Sequence, residues 1–454
     1  MNEKARIRSI GSELAHRLVT TSPRKAGLKT HSAADVMSGR ARGIVCGGGP
    51  QSGEILALPR GVHAFVIGRT GSGKTRQVLE TTCVLNALPG KAVQPHIICL
   101  DCKGTILRET ARAVREAGYR VVPFDLAAPR SAGRWNPLSA MHRALMEDRP
   151  GDADLELSRL SGTFKGIVRD DTDRYWQESA WNTIAGVAKG LSLNFGKEPS
   201  LGDVYDVIAN DAILSALDRE LGARSPAALH AAVQLTNVER TWNCVRSTCA
   251  SMLAFFTTAA GRAIAGSSTV DFARDLVGSR KPRAFYIVIP DTSSAADDYA
   301  ALLVNTLYQA FCAEHDRLGL EDTDKARPVL FILDEFARLP RMEISAVMSA
   351  GRSRDISVLA ALQSVSQLTE RGIYREEEAR VMLEQAAATI YLPSTSPEAG
   401  QDAELKSSGA VGLTDLMLLE RGEAYVALAG KPMIKTACEP FTTWAPMLGR
   451  KKKG

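Results

Sequence analysis

The sequence predicts an α/β fold, with a mostly parallel sheet that has helices on both faces and is split by an all-α insertion. Short apolar runs alternate with helical patterns: "HAFVI", "HIICL" and "YRVVPF" come early, and "RAFYIVI", "PVLFIL", "ISVLAAL", "ATIYL" and "EAYVAL" come late. Strands that alternate with helices are typical of parallel sheets. Between the two groups, residues 146–280 show helix-period patterns such as "YWQESAWNTIAGVAKGLSL" and no comparable strand.

A glycine-rich turn follows the first apolar run. From Gly68 to Thr75 the chain reads G-x-x-x-x-G-K-T, between "HAFVI" and the helical "RQVLETTCVL". In such a P-loop the backbone N–H groups surround a phosphate, the lysine reaches the β and γ phosphates, and the threonine hydroxyl binds Mg²⁺. We predict that ATP is bound by Gly68, Arg69, Thr70, Gly71, Ser72, Gly73, Lys74 and Thr75, and that Thr75 is also a metal ligand.

The order of these patterns predicts one nucleotide-binding domain in two parts. Residues 41–145 form the first part, residues 146–280 the all-α insertion and residues 281–446 the second part. A basic N-terminal segment, residues 1–40, and a basic tail, residues 447–454, complete the chain.

Composition excludes several classes of protein. A membrane span needs about 18 or more apolar residues, whereas the best candidate, "STCASMLAFFTTAAG", has 15 and is partly polar. The N-terminus has no apolar signal region, and the eight cysteines are scattered, which predicts reduced thiols in a cytoplasm. Cys99 and Cys102 form one C-x-x-C, but the further ligands of a zinc site are missing.

Charge is concentrated at the chain ends. The net charge is +5, from 56 basic and 51 acidic residues. Residues 1–30 contribute +5 (seven basic, two acidic) and residues 450–453 contribute +4, so the body carries 5 − 5 − 4 = −4. A protein that coats nucleic acid usually has a basic folded domain. We therefore expect any DNA contacts to be local, as in the lining of a channel, or to use the ends.

The stretch "PVLFILDEFARLP" supplies candidate carboxylates for the P-loop. An apolar strand ends at Asp334, so this side chain emerges at the carboxyl edge of the sheet, where the Mg²⁺ of a P-loop lies. We predict Asp334 as a metal ligand and the next residue, Glu335, as the base that activates the attacking water. The alternative is a solvated acidic pair at a strand end.

The stretch "SAGRSRDISVLAALQSVSQL" supplies three further candidates. Gln363 follows the strand "ISVLAAL" and can sense the γ phosphate or hold the water. Arg352 and Arg354 precede the strand, at the opposite sheet edge, where an arginine can reach a neighbouring subunit's γ phosphate in a ring. The alternatives are a strand-terminal amide and ordinary surface arginines. Asp101 and Lys103, after "HIICL", lie either near the P-loop or in a plain strand-helix turn.

Taken in order, these stretches resemble the TraG-type conjugative coupling proteins of type IV secretion systems, within the larger FtsK/HerA-like group. The resemblance covers roughly residues 40–440 and rests on "GRTGSGKT", "LDCKGTILRETA", "GYRVVPFDL", "RWNPL", "YWQESAW", "FILDEFARLP", "GRSRDISVLAALQSVSQL" and "LMLLERGEAYVALAGKPMI". It implies a RecA-like P-loop NTPase fold with an all-α insertion.

The resemblance also implies an ATP-driven ring, commonly hexameric, at the cytoplasmic mouth of a secretion channel, where it pumps single-stranded DNA. The insertion would contact the relaxase or another transfer substrate. Lys74 and Thr75 would bind phosphate and Mg²⁺, Asp334 and Glu335 would serve metal and water, and Gln363 would sense the γ phosphate.

One difference separates this chain from well-known members, which carry transmembrane helices before the motor; none precedes Gly68 here. We expect a cytoplasmic protein that a membrane tether or the channel ATPases recruit to the inner face of the membrane, or a ring that forms only on DNA. Two alternatives stay open: a DNA pump of the same superfamily unrelated to secretion, and an ATP-dependent recruiting platform with little turnover. A small-molecule kinase is disfavoured because no acceptor-binding lid is evident.

Overall fold

The structure, a computed structural model, describes residues 42–49, 53–126, 133–165, 174–272, 281–290, 296–318, 327–339, 344–370 and 373–443. It also describes the short pieces 19–20 and 30–32 and the single residues 35, 40, 128, 294 and 342. Most of the predicted N-terminal segment 1–40 and all of the predicted tail 447–454 lie outside the described residues.

A ten-stranded sheet is the centre of the described part of the chain, with the strand order β1-β13-β12-β11-β5-β10-β9-β6-β8-β7. A small antiparallel sheet has the order β2-β4-β3. The strands are β1 (Val19–Thr20), β2 (Thr30–Ser32), β3 (Val45–Gly49), β4 (Glu54–Ala57), β5 (His63–Ile67), β6 (His96–Asp101), β7 (Arg120–Asp125), β8 (Arg283–Val288), β9 (Val329–Leu333), β10 (Ile356–Leu362), β11 (Ala386–Tyr391), β12 (Glu423–Leu428) and β13 (Lys431–Ala437).

Helices connect the strands and form the insertion. They are α1 (Glu80–Ala87), α2 (Thr105–Glu116), α3 (Ser139–Met146), α4 (Pro150–Lys165), α5 (Arg174–Phe195), α6 (Leu201–Ile208), α7 (Asp211–Leu221), α8 (Ala227–Leu235), α9 (Glu239–Thr257), α10 (Ala259–Ala265), α11 (Asp297–Leu318), α12 (Ile344–Ala350), α13 (Glu376–Gln385), α14 (Pro397–Lys406) and α15 (Leu413–Met417). In the described residues, no helix is long and apolar enough to span a membrane.

The predicted fold class is confirmed: the sheet is mostly parallel, and alternate residues of its strands feed two separate cores. On one face, Val66 and Ile332 belong to a core that includes α1 and α2. On the other face, Phe65 and Phe331 belong to a core that includes α11 and α12. The strands are buried from both sides, which explains why their sequences are continuous apolar runs.

The insertion helices share the second core with the motor, so the two parts are packed together. Tyr299 of α11 stacks on Phe255 of α9, with ring centroids 5.4 Å apart, and its hydroxyl donates a hydrogen bond to the Trp135 carbonyl at 2.7 Å. Phe164 of α4 stacks on Trp181 of α5 at 5.1 Å. A continuous apolar core thus extends across the predicted boundaries at residues 146 and 280. The division of the chain into domains at these residues stays a prediction.

The stretch "RWNPL" forms the junction between motor and insertion. The buried Asn136 amide donates hydrogen bonds to the Pro199 carbonyl and to the Glu198 carboxylate, both at 2.8 Å. Its side-chain oxygen accepts from the Leu138 N–H at 3.0 Å. One side chain thus holds the start of α3 against the turn before α6.

Five strands have no counterpart among the apolar runs that predict strands. β3 reads "VCGGG" and β13 reads "KPMIKTA", so glycine, proline and lysine hide the pattern. β1, β2 and β4 span two to four residues, at or below the lower limit of the four to eight that a periodicity argument needs for most strands. The antiparallel β11-β12-β13 edge adds to the parallel sheet without changing its class.

We predict that Asn136→Ala destabilises the protein by about 2 to 4 kcal/mol, because three hydrogen bonds are lost and buried partners stay unsatisfied. The measurement is thermal unfolding followed by calorimetry. The neighbouring Arg134→Ala is the control, since this side chain is exposed. Equal stability of the two variants would contradict the assignment of Asn136 as the junction.

Candidate functional site

Three neighbouring strands bring the predicted site residues to one sheet edge. β5 and β10 run parallel, with Ile67 opposite Leu362, and the Gly68 N–H donates to the Leu362 carbonyl at 3.2 Å. β9 lies on the other side of β10, with Leu333 opposite Ala360. The residues that follow these strands are the start of the P-loop, Asp334 and Gln363, so the structure brings the three predicted elements together.

The P-loop has the backbone that its glycines predict. Gly71 and Gly73 have φ values of +78° and +102°, and a Cβ at Gly73 would lie 2.4 Å from the Gln77 side-chain oxygen. Only glycine adopts this backbone without strain. The Ser72 hydroxyl is buried and has no hydrogen-bond partner in the described part of the chain, whereas Arg69 and Thr70 are exposed.

Lys74 lies inside the loop, at the start of a helical turn with wide i→i+5 hydrogen bonds, Lys74–Leu79, that leads into α1. Its ammonium donates to the carbonyls of Gly68 and Arg69, the latter at 3.2 Å. Burial lowers the pKa of Lys74, and the carboxylates of Asp334 and Glu335 oppose this shift. The oxygens of an anionic ligand can therefore replace these two carbonyls as hydrogen-bond partners of the Lys74 ammonium.

Thr75 and Asp334 form a pair with the chemistry of a magnesium site. The Thr75 hydroxyl lies 3.4 Å from the Asp334 carboxylate, which is 5% exposed. Burial, together with smaller contributions from the neighbouring carboxylates of Glu335 and Asp101, raises the pKa of Asp334 to about 7. A bound cation would stabilise the ionised form of this carboxylate. Hydroxyl and carboxylate oxygens are ligands that Mg²⁺ prefers, so these residues fit the ion.

Glu335 follows the end of β9 in a left-handed backbone conformation. Its φ of +45° is unusual for a residue with a Cβ, and its N–H donates to the Asp334 carboxylate at 3.1 Å. The Glu335 carboxylate is partly exposed and lies 3.8 Å from the ammonium of Lys103. A carboxylate that lies next to the Thr75–Asp334 pair and is accessible to water could act as a general base.

Asp101 is a helix cap in this structure. Its carboxylate, at the end of β6, accepts hydrogen bonds from the backbone N–H groups of Thr105 at 3.0 Å and Leu107 at 2.8 Å, so it stabilises the N-terminus of α2. Cys102, of the C-x-x-C, is buried and its thiol donates to the Asp334 carbonyl at 3.3 Å. In the described residues no group of three or more His, Cys, Asp or Glu side chains could hold a metal, and all eight cysteines are free.

The two arginines lie at the opposite sheet edge, in the short helical turn Arg352–Arg354 before β10. Arg354 donates to the Asp316 carboxylate of α11 at 2.9 Å. Arg352 is exposed and its guanidinium has no partner within the described ranges. Neither side chain contacts the P-loop of its own chain. Their role at an active site stays a prediction.

Glu80 is a buried carboxyl group near the site that the motif analysis does not identify. It lies on α1, is 2% exposed, and makes no hydrogen bond through its side chain in the described part of the chain. Burial raises its pKa to about 7, and the charges of Glu109, Asp101 and Asp334 contribute to the shift. Its only signal in the sequence is an acidic residue inside the apolar pattern "QVLETTCVL".

Comparisons with known proteins agree with this architecture. Residues 29–404 match the protein family described as "Type IV secretory system Conjugative DNA transfer". A comparison with curated protein sequences finds no match.

Three solved structures are similar to this chain in fold. The plasmid coupling protein TrwB in complex with the non-hydrolysable ATP analogue ADPNP has a TM-score of 0.67 and 17% identity, covering 91% of this chain and 94% of that one. TrwB in complex with ADP and Mg²⁺ has a TM-score of 0.65 and 16% identity over the same shares of the two chains. VirB4 of Thermoanaerobacter pseudethanolicus has a TM-score of 0.54 and 14% identity, covering 88% and 96%.

We predict that Glu80→Gln stabilises the protein more as the pH rises. The Glu80 carboxyl has an ordinary pKa of 4.5 and a pKa of about 7 in the folded protein. Burying the ionised carboxylate therefore lowers the free energy of unfolding by its full amount above about pH 7, and by nothing below about pH 4.5. The variant should gain roughly 1 to 3 kcal/mol at pH 8 and almost nothing at pH 4.5.

Urea unfolding at several pH values measures this difference between variant and wild type. The matched control is Glu116→Gln, since the Glu116 side chain is 64% exposed. A gain that does not depend on pH would show that Glu80 is not a buried charge.

Proposed function

Because this chain belongs to the type IV secretory system conjugative DNA transfer family, we propose that it is an ATP-hydrolysing coupling protein. It would recruit a relaxase–DNA substrate and translocate single-stranded DNA to a conjugative type IV secretion channel. The observation that carries the proposal is the cluster of Lys74, Thr75, Asp334 and Glu335 at the carboxyl edge of the sheet.

In this proposal the substrate is ATP with Mg²⁺. The P-loop N–H groups and Lys74 hold the β and γ phosphates, and the ammonium exchanges its hydrogen bonds to loop carbonyls for phosphate oxygens. Thr75 and Asp334 hold the ion, which when bound neutralises phosphate charge. The solved complexes of TrwB with ADPNP and with ADP and Mg²⁺, which share this fold, support the assignment.

Hydrolysis would use Glu335 and Gln363. The Glu335 carboxylate accepts a proton from the attacking water, and Gln363 orients this water or senses the γ phosphate. Gln363 follows the strand beside the P-loop strand, and its backbone N–H donates to the Gln367 side chain at 2.8 Å, which holds it at this edge. A water-activating acid has no use in a platform that only assembles on ATP.

We further propose that the active unit is a ring of several copies, with a hexamer on DNA as the family resemblance implies. Each copy would supply an arginine to its neighbour's γ phosphate. Arg352 is the better candidate because Arg354 is already paired with Asp316 in its own chain. Single-stranded DNA would pass through the centre, and a membrane tether or the channel ATPases would hold the ring at the inner face of the membrane.

The insertion helices α4–α10 would receive the relaxase or another transfer substrate. Tyr175 and Phe195, on α5, are 61% and 65% exposed and are the largest exposed apolar side chains among the described residues of the insertion. Exposed aromatic side chains are common at protein interfaces.

We predict that Tyr175→Ser or Phe195→Ser weakens the binding of a relaxase from the same conjugation system at least fivefold, with ATP turnover unchanged. Relaxase binding by calorimetry and turnover by phosphate release are the two measurements. Unchanged affinity in both variants would place recruitment elsewhere.

We predict that Lys74→Ala abolishes ATP binding, whereas Glu335→Gln binds ATP and turns it over at least a hundredfold more slowly. Lys74 contacts the phosphates of bound ATP, whereas Glu335 is needed as the water is activated. Nucleotide binding and phosphate release are measured with and without single-stranded DNA, which also separates a motor from a platform. Near-normal turnover by Glu335→Gln would mean that another group is the base.

We predict that Lys74→Ala chains restore turnover to Arg352→Ala chains when the two are mixed. An interface that joins the P-loop of an Arg352→Ala chain to the arginine of a Lys74→Ala chain is then complete, and arginine fingers contribute about 10³ to 10⁵ in rate. Phosphate release is measured against the mixing ratio. Arg354→Ala in place of Arg352→Ala is the control, and it should retain substantial activity alone. No recovery at any ratio would exclude an arginine supplied in trans.

A further inference from the structure

The turn that carries Arg352 is attached to the strand that leads into the P-loop. Its backbone closes on itself, with the Ile356 N–H donating to the Gly351 carbonyl at 3.0 Å. Asp355 ends the turn in the left-handed region, with φ at +53°. Aspartate adopts this conformation more readily than most residues with a Cβ, and contacts with neighbouring residues fix the turn in place.

Residues 60–63, just before and at the start of β5, supply these neighbours. The Arg60 guanidinium lies 3.4 Å from the Asp355 carboxylate. The Gly61 N–H donates to the buried Ser357 hydroxyl at 3.0 Å. Gly61 itself has φ at +72°, and a Cβ there would lie 3.3 Å from the Arg352 carbonyl oxygen.

His63, the first residue of β5, also lies against the turn. Its ring is 3% exposed, and a Cβ on Gly351 would lie 3.2 Å from the His63 ring carbon Cε1. Gly351 therefore has no room for a side chain, and the turn lies directly on the first residue of β5. The five residues of β5 then span about 16 Å to the P-loop at the other edge.

We propose that Asp355 and Arg60 are positioning residues for the arginine that this chain offers to its neighbour, holding the turn so that Arg352 points outward at a fixed place. This inference rests on the proposed function, since it assumes that Arg352 acts in trans. Arginine must meet a phosphate with little positional error, and a misplacement near 1 Å costs about a hundredfold in rate. The pair acts only in the subunit that donates the arginine.

The test places one substitution in either partner of a mixed ring. Donor chains carry Lys74→Ala and acceptor chains carry Arg352→Ala, so only interfaces between unlike chains are active. Asp355→Ala is then added to the donor or to the acceptor. We expect roughly tenfold lower turnover with the substitution in the donor, and turnover within twofold of the parent mixture with it in the acceptor.

A role in folding alone would lower turnover equally in both placements, and that outcome overturns the proposal. If Asp355→Ala damages the fold, Arg60→Ala removes the same contact from outside the turn, and it should give the same donor-specific loss. Full activity with Arg60→Ala in the donor also overturns it. A parent mixture with no turnover overturns the arginine in trans itself, which is a separate and visible result.

Discussion

The parallel pairing of β5 with β10 fixes the geometry of the whole site. The register places Ile67 opposite Leu362 at the carboxyl edge and His63 opposite Val358 at the other. The P-loop and Gln363 must then leave the sheet side by side, and the arginine turn must lie beneath the start of β5. A shift of one residue would turn the side chains of β10 to the opposite faces and separate the two halves of the site.

Burial gives the site its electrostatic character. Asp334 and Glu80 are nearly inaccessible carboxyl groups whose pKa values burial raises to about 7, and Lys74 is a buried ammonium among backbone carbonyls. Such charges are costly in an apolar core unless a counter-ion or proton compensates them. Phosphates and a divalent cation would supply opposite charges to Lys74 and Asp334 at once. The stability of the site is thus coupled to its ligands.

The features of the fold and the site that depend on a local sequence pattern could be predicted from the sequence. The strands from "HAFVI" to "EAYVAL" are recognisable because burial on both faces makes each a continuous apolar run. Gly71 and Gly73 are identifiable because the loop needs backbone that only glycine adopts easily. β3 and β13 are hidden because glycine, proline and lysine interrupt their apolar pattern, although their antiparallel partners β4 and β12 are close in sequence. Asp101 could not be assigned from the sequence either. Its carboxylate accepts hydrogen bonds from the first N–H groups of α2 because of the direction of its side chain, which the residue order does not determine.

Tertiary contacts also distinguish the two arginines, which are equivalent in the sequence. Arg352 and Arg354 share one short turn, and only the approach of α11 pairs Arg354 with Asp316. The opposite end of the turn is held by Arg60 and Gly61, which the pattern shows only as the residues before a strand. Because β5 joins this anchored turn to the P-loop, a subunit's own nucleotide site and the arginine it presents belong to one rigid strand pair. In the proposed ring, a movement of the P-loop strand in one subunit would displace that subunit's own Arg352, which lies at the neighbour's nucleotide site in this proposal, and successive sites would be mechanically connected.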